Sequence, residues 1–78
     1  MHELSYCHMS PLKRAEVAVN VEEVLGLQNR EFLFERARDG RVFVLEGYTI
    51  YRIDMRACEV GVHLEDPDAE TIFMNLVM

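Results

Sequence analysis

The sequence predicts an α+β domain: a small antiparallel sheet of three to four strands with an N-terminal and a C-terminal helix. Three observations predict this class. Ser10-Pro11 precedes apolar residues at helical spacing, tight-turn dipeptides divide the middle of the chain into strand-length runs, and Asp66-Pro67 precedes a final apolar run at helical spacing. At 78 residues the chain is expected to be a single domain, spanning 1–78.

The first helix is predicted to run from Ser10-Pro11 to Gly26. Serine is a favoured N-cap, proline suits the first helical position, and glycine commonly follows the last turn. The apolar residues on one helical arc are Val17, Ala18, Val21, Val24 and Leu25. A strand is the alternative, because valine favours strands and the apolar residues alternate from 15 to 21. In that case Asn20-x-x-Glu23 would cap a shorter helix.

The middle of the chain is predicted to be antiparallel sheet. Its expected strands are Glu31–Arg38, Arg41–Glu46, Tyr48–Met55 and Cys58–Leu64. Asp39-Gly40 predicts a two-residue hairpin loop, because both residues tolerate positive φ. That loop would place Arg36 opposite Phe43, and a second loop at Glu46-Gly47 would place Phe43 opposite Ile50.

The predicted register divides the side chains between the two faces of the sheet. One face would carry Phe34, Phe43, Leu45, Tyr48 and Ile50, with Arg36, Arg38, Arg41 and Arg52 grouped at one end. The other face would carry Leu33, Ala37, Val42, Val44, Thr49, Tyr51 and Ile53. Both faces are largely apolar, so each is expected to be covered by a helix or by a second chain.

The final helix is predicted to start at Asp66-Pro67. Its apolar face would consist of Ala69, Ile72, Phe73, Leu76 and Val77. A strand is the alternative, because apolar residues also alternate from 72 to 78. Met74 and Met78 extend the apolar surface beyond one helix face, and methionine adapts well to a partner. A homodimer docked through this helix is therefore one expectation.

Composition and charge restrict the function classes. The net charge is −6, and residues 42–78 contribute −5 of it from two arginines and seven acids. An acidic chain disfavours direct binding to nucleic acid or anionic membranes and permits docking on a basic surface. The longest aliphatic or aromatic run, Val42–Leu45, is far shorter than the ~20 residues that a membrane span needs. With no signal-peptide pattern and only two cysteines, the sequence predicts a cytoplasmic protein without a disulfide framework.

The acidic segment of residues 65–70 is the most concentrated group of charges. Its carboxylates are those of Glu65, Asp66, Asp68 and Glu70. A structural role is sufficient for most of them, because Asp66 can cap the final helix and the two acids that follow stabilise a helix N-terminus. A calcium loop is disfavoured by Thr71 in place of its glycine and Val77 in place of its last glutamate. The functional hypothesis is a partner-binding surface, in which the carboxylates imitate nucleic-acid phosphates and occupy a basic groove.

The second candidate surface is a group of four arginines, Arg36, Arg38, Arg41 and Arg52. Beside aromatic side chains they could contact phosphates and stack bases, in a dimeric nucleic-acid-associated module. Acids such as Glu35 and Asp39 interrupt the group. The favoured interpretation is therefore a solvated hairpin end whose arginines pair with acids.

A thiol or metal site is the third hypothesis, because Cys7-His8 and Cys58-x4-His63 contain sulfur and imidazole ligands. Structural zinc sites usually bring ligands in close pairs such as C-x2-C, whereas an odd separation on a strand turns two side chains to opposite sides. The spacing therefore predicts neither a metal site nor a cofactor, and the cysteines are expected to be small core residues.

Catalytic patterns are missing from the sequence. The four glycines form no phosphate-binding loop or dinucleotide fingerprint, and no serine or threonine lies in a nucleophile elbow. The sequence thus predicts a non-enzymatic binding or regulatory protein, such as an inhibitor that docks on a basic, nucleic-acid-binding surface of a larger protein. In small size, acidity and lack of catalytic motifs it resembles phage-type inhibitors such as anti-CRISPR proteins, in composition only.

Overall fold

Two helices cover a four-stranded antiparallel sheet in the computed structural model, which describes residues 11–54 and 59–78. The elements are α1 (Pro11–Leu25), β1 (Leu33–Arg36), β2 (Val42–Glu46), β3 (Thr49–Asp54), β4 (Glu59–Glu65) and α2 (Ala69–Val77). Each strand pairs with the next along the chain, in the order β1-β2-β3-β4. The predicted α+β class is confirmed, with four strands. Neither helix in the described ranges is long and apolar enough to cross a membrane.

Residues 11–25 form one helix, so the alternative of a strand followed by a shorter helix is wrong. The helix ends at Leu25, directly before the predicted terminator Gly26, and the Leu27 N–H donates to the Glu22 carbonyl at 3.0 Å. This bond from the second residue past the helix is the Schellman arrangement, and its accompanying apolar residue, Leu27, is buried. The predicted N-cap, Ser10, lies outside the described residues.

The β1–β2 hairpin has a three-residue loop, Arg38-Asp39-Gly40, rather than the predicted loop of two. The Ala37 N–H donates to the Arg41 carbonyl at 2.8 Å, and the Gly40 N–H donates to the Ala37 carbonyl at 3.0 Å. Gly40 has φ +93°, the left-handed region that the last residue of such a loop adopts. The extra loop residue shifts the register of β1 by one position.

The one-residue shift turns the side chains around β1 to the opposite face of the sheet. Arg36 pairs with Val42 rather than with Phe43, and Phe34 pairs with Val44. The side chains whose predicted face is wrong are therefore Leu33, Phe34, Arg36 and Ala37.

Asp39 fixes this loop by accepting two hydrogen bonds from Arg41. Its Oδ1 accepts the Arg41 backbone N–H at 3.0 Å, and its Oδ2 accepts Nε at 2.7 Å. The side-chain bond from Arg41 is the main cause that holds the pKa of Asp39 below its usual range. Because the folded state lowers this pKa, the carboxylate stabilises the fold above pH ~4 and loses that contribution as the pH falls through the folded-state pKa.

We expect Asp39→Ala to lower the free energy of unfolding by about 0.5–1.5 kcal/mol at neutral pH. Asp39→Asn should cost less, because its amide oxygen can still accept the Arg41 N–H. Urea denaturation at neutral pH and at about pH 3 measures both variants. The gap between Asp39→Ala and the wild type should shrink in acid; a gap of equal size at both pH values would show that the charge contributes nothing.

The β2–β3 hairpin turns at Gly47-Tyr48 rather than at the predicted Glu46-Gly47. Glu46 pairs with Thr49 across the loop, and Gly47 has φ +63° at the first loop position, where a type II′ turn needs glycine. The register differs from the prediction by two residues, so Phe43 pairs with Arg52. A shift of two keeps each side chain on its face, and the predicted division of β2 and β3 between the faces is confirmed.

Each face of the sheet holds one half of the core. The half beneath α1, on what we call the α1 face, contains the buried residues Val21, Leu27, Phe34, Val42, Val44 and Ile53. The half beneath α2, on the α2 face, contains Ala37, Phe43, Leu45, Ile50, Ala69, Phe73 and Val77. All five apolar positions predicted for the final helix pack in this second half, so the strand alternative for residues 72–78 is wrong.

The β3–β4 ladder contains a bulge at His63. Two consecutive residues of β3, Ile50 and Tyr51, pair with residues 64 and 62 of β4, which leaves His63 as the extra residue. Its ring lies edge-on to Phe43, with the ring centroids 5.2 Å apart. The imidazole is therefore on the α2 face.

Each helix leaves one outer strand uncovered. On the α2 face, α2 packs against β2 and β3, and Leu33 of β1 stays more than half exposed. On the α1 face, the cluster beneath α1 draws on β1, β2 and β3, while Val60 and Val62 of β4 are exposed. The fold thus exposes apolar side chains at two diagonally opposite corners of the sheet.

Candidate functional site

The acidic segment lies at the junction between β4 and α2. Glu65 is the last residue of β4, and α2 begins at Ala69, two residues beyond Pro67. Between them, the Asp66 N–H donates to the Tyr48 carbonyl at 3.0 Å and extends the strand ladder by one bond. The segment is therefore held at both ends by regular structure.

Asp66 is the member of the segment that the fold itself uses. Its Oδ1 accepts the Asp68 N–H at 2.7 Å, and its carbonyl accepts the Ala69 N–H at 3.0 Å. The predicted N-cap is thus two residues early: Asp66 closes the turn before α2, and Asp68 is the N-cap residue, without a side-chain hydrogen bond. Glu70 lies in the first turn of α2, as predicted.

The other three carboxylates, those of Glu65, Asp68 and Glu70, are exposed. Glu65 Oε2 accepts the Thr49 hydroxyl at 3.3 Å. Within the residues that the structure describes, no ion pair reaches any of the three, whereas other acids pair with arginines at 2.7 to 3.9 Å. Among the described residues, the negative charge of these three side chains is therefore uncompensated.

An open cleft of about 730 Å³ lies beside the acidic segment. Its apolar lining includes Phe32, Leu33, Leu45, Tyr48 and Pro67, and its charged lining comes from Arg30, Glu31 and Glu70. Leu33 and Tyr48 are more than half exposed, so the cleft is a shallow surface feature at the β1 corner that α2 leaves uncovered. Pro67 and Glu70 belong to both features, and the segment and the cleft therefore form one continuous surface.

The charge at the rim of the cleft is mainly negative. Arg30 lies 3.3 Å from Glu46, which compensates its charge. Glu31 and Glu70 are exposed at the same rim. An incoming apolar group that fills the cleft therefore meets uncompensated carboxylates around it.

Sequence reasoning missed the cleft because it placed Leu33 and Tyr48 on opposite faces of the sheet. The error follows from the β1 register alone. The signal that could have corrected it is the Asp39-x-Arg41 pair, since an aspartate that bonds the residue two positions on favours the longer loop.

The structure does not bring the four arginines of the second candidate surface to one face. Arg36 lies on the α1 face, whereas Arg52 and Arg41 lie on the α2 face, and the fourth arginine is in the hairpin loop. Arg41 bonds Asp39 at 2.7 Å, and Arg52 lies 3.9 Å from Glu59. The local pairing with acids that the sequence favoured is present for these two.

The thiol or metal hypothesis stays a prediction, because Cys7, His8 and Cys58 lie outside the described residues. His63 is described, and its ring packs on Phe43. In residues 11–54 and 59–78, no three histidine, cysteine, aspartate or glutamate side chains are grouped as metal ligands would be.

Comparisons with protein-family models, with curated proteins and with solved structures found no match. The features of the molecule that bear on its function are therefore the acidic segment and the cleft that adjoins it.

Proposed function

We propose that this chain is a small, non-enzymatic regulator, an inhibitor that docks on a basic, nucleic-acid-binding surface of a larger protein. Glu65, Asp68 and Glu70 face the partner's lysines and arginines, and Asp66 holds the turn that presents them. The observation that carries the proposal is the uncompensated charge of these exposed carboxylates on a junction fixed by backbone hydrogen bonds.

Rigid presentation is what makes the carboxylates suitable as a phosphate substitute. A basic groove binds nucleic acid mainly through charge, and a fixed array of acids satisfies the same lysines and arginines. Because the junction between β4 and α2 is already ordered, little conformational entropy is lost when it docks. Docking of this kind excludes nucleic acid from the groove by direct competition.

The cleft supplies the apolar part of the same surface. Leu33 and Tyr48 are exposed, and covering them contributes roughly 25 cal/mol per Å² of apolar area removed from water. Charges at an interface mainly raise the rate and fix the orientation of association, while a buried apolar anchor lengthens the lifetime of the complex. The combination selects one basic protein, with an apolar side chain beside its cations, over basic surfaces in general.

Two double variants of equal charge test this proposal. Asp68→Lys/Glu70→Lys alters the acidic segment, and Glu16→Lys/Glu23→Lys alters α1 by the same charge. All four side chains are exposed, and Asp66 is left in place because it bonds the turn. Affinity capture from the native cell should recover the same nucleic-acid-binding protein with the wild type and the α1 variant, and at least about tenfold less with the segment variant.

Two further measurements decide how the captured protein is held. Raising the salt from about 0.1 M to about 0.5 M should release it, because exposed charge pairs are screened. Adding the purified chain should displace nucleic acid from it. Equal recovery by all three proteins, or retention that salt does not weaken, would contradict the role of the acidic segment.

A further inference from the structure

Residues 59–63 on the outer edge of β4 form a second surface, which ends before the acidic segment begins at Glu65. β4 is the longest strand, with seven residues, and it forms one edge of the sheet. Val60 and Val62 on it are 46% and 59% exposed. An edge strand with exposed apolar side chains is a template for another strand, and most proteins protect such edges with charges, proline or a covering segment.

The opposite edge, β1, is protected by the chain itself. β1 has only four residues. Arg14 of α1 reaches it: Nη2 donates to the Phe34 carbonyl at 3.2 Å, and the guanidinium carbon lies 4.5 Å from the Phe34 ring centroid. Arg14 also lies 3.5 Å from Glu35. Arg14 therefore protects the outer backbone of β1. Among the described residues, no comparable contact is made to the outer backbone of β4.

The strand ladder determines which backbone groups of β4 point away from the sheet. A two-residue loop joins β2 to β3, so residues 50, 52 and 54 direct their N–H and C=O groups towards β4. Gly61 pairs with Arg52 and therefore bonds inward. Val60 and Val62 flank Gly61, so their backbone N–H and C=O groups point away from the sheet. The side chains of these two valines are also exposed.

We propose that a second copy of this chain pairs antiparallel along β4, joining two four-stranded sheets into one of eight strands. A two-fold axis at Gly61 sets Val60 opposite Val62 of the partner subunit, which brings the outward backbone groups together. The same axis sets Glu59 opposite His63 of the partner subunit, an acid facing an imidazole. An axis at Val62 would instead set Glu59 opposite Glu65 of the partner subunit, and like charges directly opposite are destabilising.

The interface is small, because an axis at Gly61 pairs only residues 59–63 of each copy, and the bulge at His63 ends the regular part of the strand. So few residues are far short of the roughly 20–30 on each side that a stable interface contains, and we expect the dimer to be weak and reversible. Two chains of net charge −6 also repel each other. Self-association is therefore expected to rise with protein concentration and with salt, rather than to be complete in dilute solution.

Analytical ultracentrifugation of the full chain, from about 10 µM to about 1 mM, tests the pairing by mass action. The weight-average mass of the wild type should rise towards twice the monomer value. Val62→Lys should hold it at the monomer value, while the matched control Val24→Lys, which adds the same charge to an exposed valine of α1, should associate as the wild type does. Unchanged circular dichroism shows that both variants fold.

Three results would overturn the proposal. If the wild type stays monomeric over the whole concentration range, a second copy does not pair with β4, and a strand of another protein becomes the candidate partner for this edge. If Val24→Lys loses association as Val62→Lys does, the added charge prevents self-association wherever it is placed, and β4 is not shown to be the interface. Association that is lost in Met74→Lys and kept in Val62→Lys moves the interface to α2. None of these results depends on the acidic segment, so the proposed function is tested separately.

Cysteine cross-linking tests the register. In a Cys7→Ser/Cys58→Ser background that keeps the wild-type circular dichroism, Gly61→Cys places two thiols on the two-fold axis, whereas Val62→Cys does so only in the other register. Mild oxidation should link Gly61→Cys several-fold faster than Val62→Cys. Faster linking of Val62→Cys would contradict the axis at Gly61.

Discussion

Replacing Val21 by aspartate is expected to unfold the protein. Val21 has no exposed surface and packs beneath α1 against the buried side chains of the α1 face. Burying an unpaired carboxylate there costs several kcal/mol. A chain of this length has a total free energy of unfolding of about 4–12 kcal/mol, so the substitution removes much or all of it. Far-UV circular dichroism and urea denaturation measure the loss.

Two neighbouring valines of α1 provide matched controls for Val21→Asp. Val19 and Val24 are 52% and 56% exposed, so Val19→Asp and Val24→Asp make the same chemical change without burying a charge. Each should cost no more than about 1 kcal/mol, mainly through helix propensity. In a strand, residues 19 and 21 would share one face, so equally severe losses in Val19→Asp and Val21→Asp would contradict the helical packing of this segment.

Phe43→Ala has the second largest expected effect, a loss of about 3–5 kcal/mol in the free energy of unfolding. Phe43 is fully buried on the α2 face, with the His63 ring centroid and the Arg41 guanidinium carbon each 5.2 Å from its own centroid. Its removal leaves a cavity between β2 and α2 that the surrounding side chains fill only in part. Urea denaturation should therefore show a much lower midpoint at an unchanged slope.

Tyr48→Ala is the control for Phe43→Ala, because it also removes an aromatic ring from the same sheet. Tyr48 is 69% exposed, and its loss should change the stability by less than about 1 kcal/mol. A Phe43→Ala protein as stable as Tyr48→Ala would show that α2 does not rest on Phe43.

The fold class could be predicted because its signals are local. A proline at the start and a glycine at the end bound α1, and the apolar spacing of α2 matches the side chains that it buries. Turn dipeptides separate the strands. The sheet register could not be predicted, since Asp39-Gly40 can end a loop of two or of three residues. In the structure the loop has three residues, and Asp39 stabilises it by accepting bonds from the Arg41 backbone and side chain.

The candidate site could be predicted only where its features depend on the local sequence. The position of the acidic segment follows from the sequence, but the use of each carboxylate depends on distant residues. Tyr48 and Thr49, on the β2–β3 hairpin, bond Asp66 and Glu65, which no local pattern indicates. The cleft and the separation of the arginines both follow from the register of β1. The one-residue error in that register therefore hid the cleft, and it also predicted a group of four arginines that does not form.

The order of the strands also governs how the chain reaches its native state. Each of the four described strands pairs with its neighbour in sequence, so this sheet can grow by successive closure of short loops. Loop-closure entropy rises with loop length, and chains dominated by such near-neighbour pairings fold faster than those that must first unite distant segments. A chain built in this way is expected to reach its native fold soon after it leaves the ribosome.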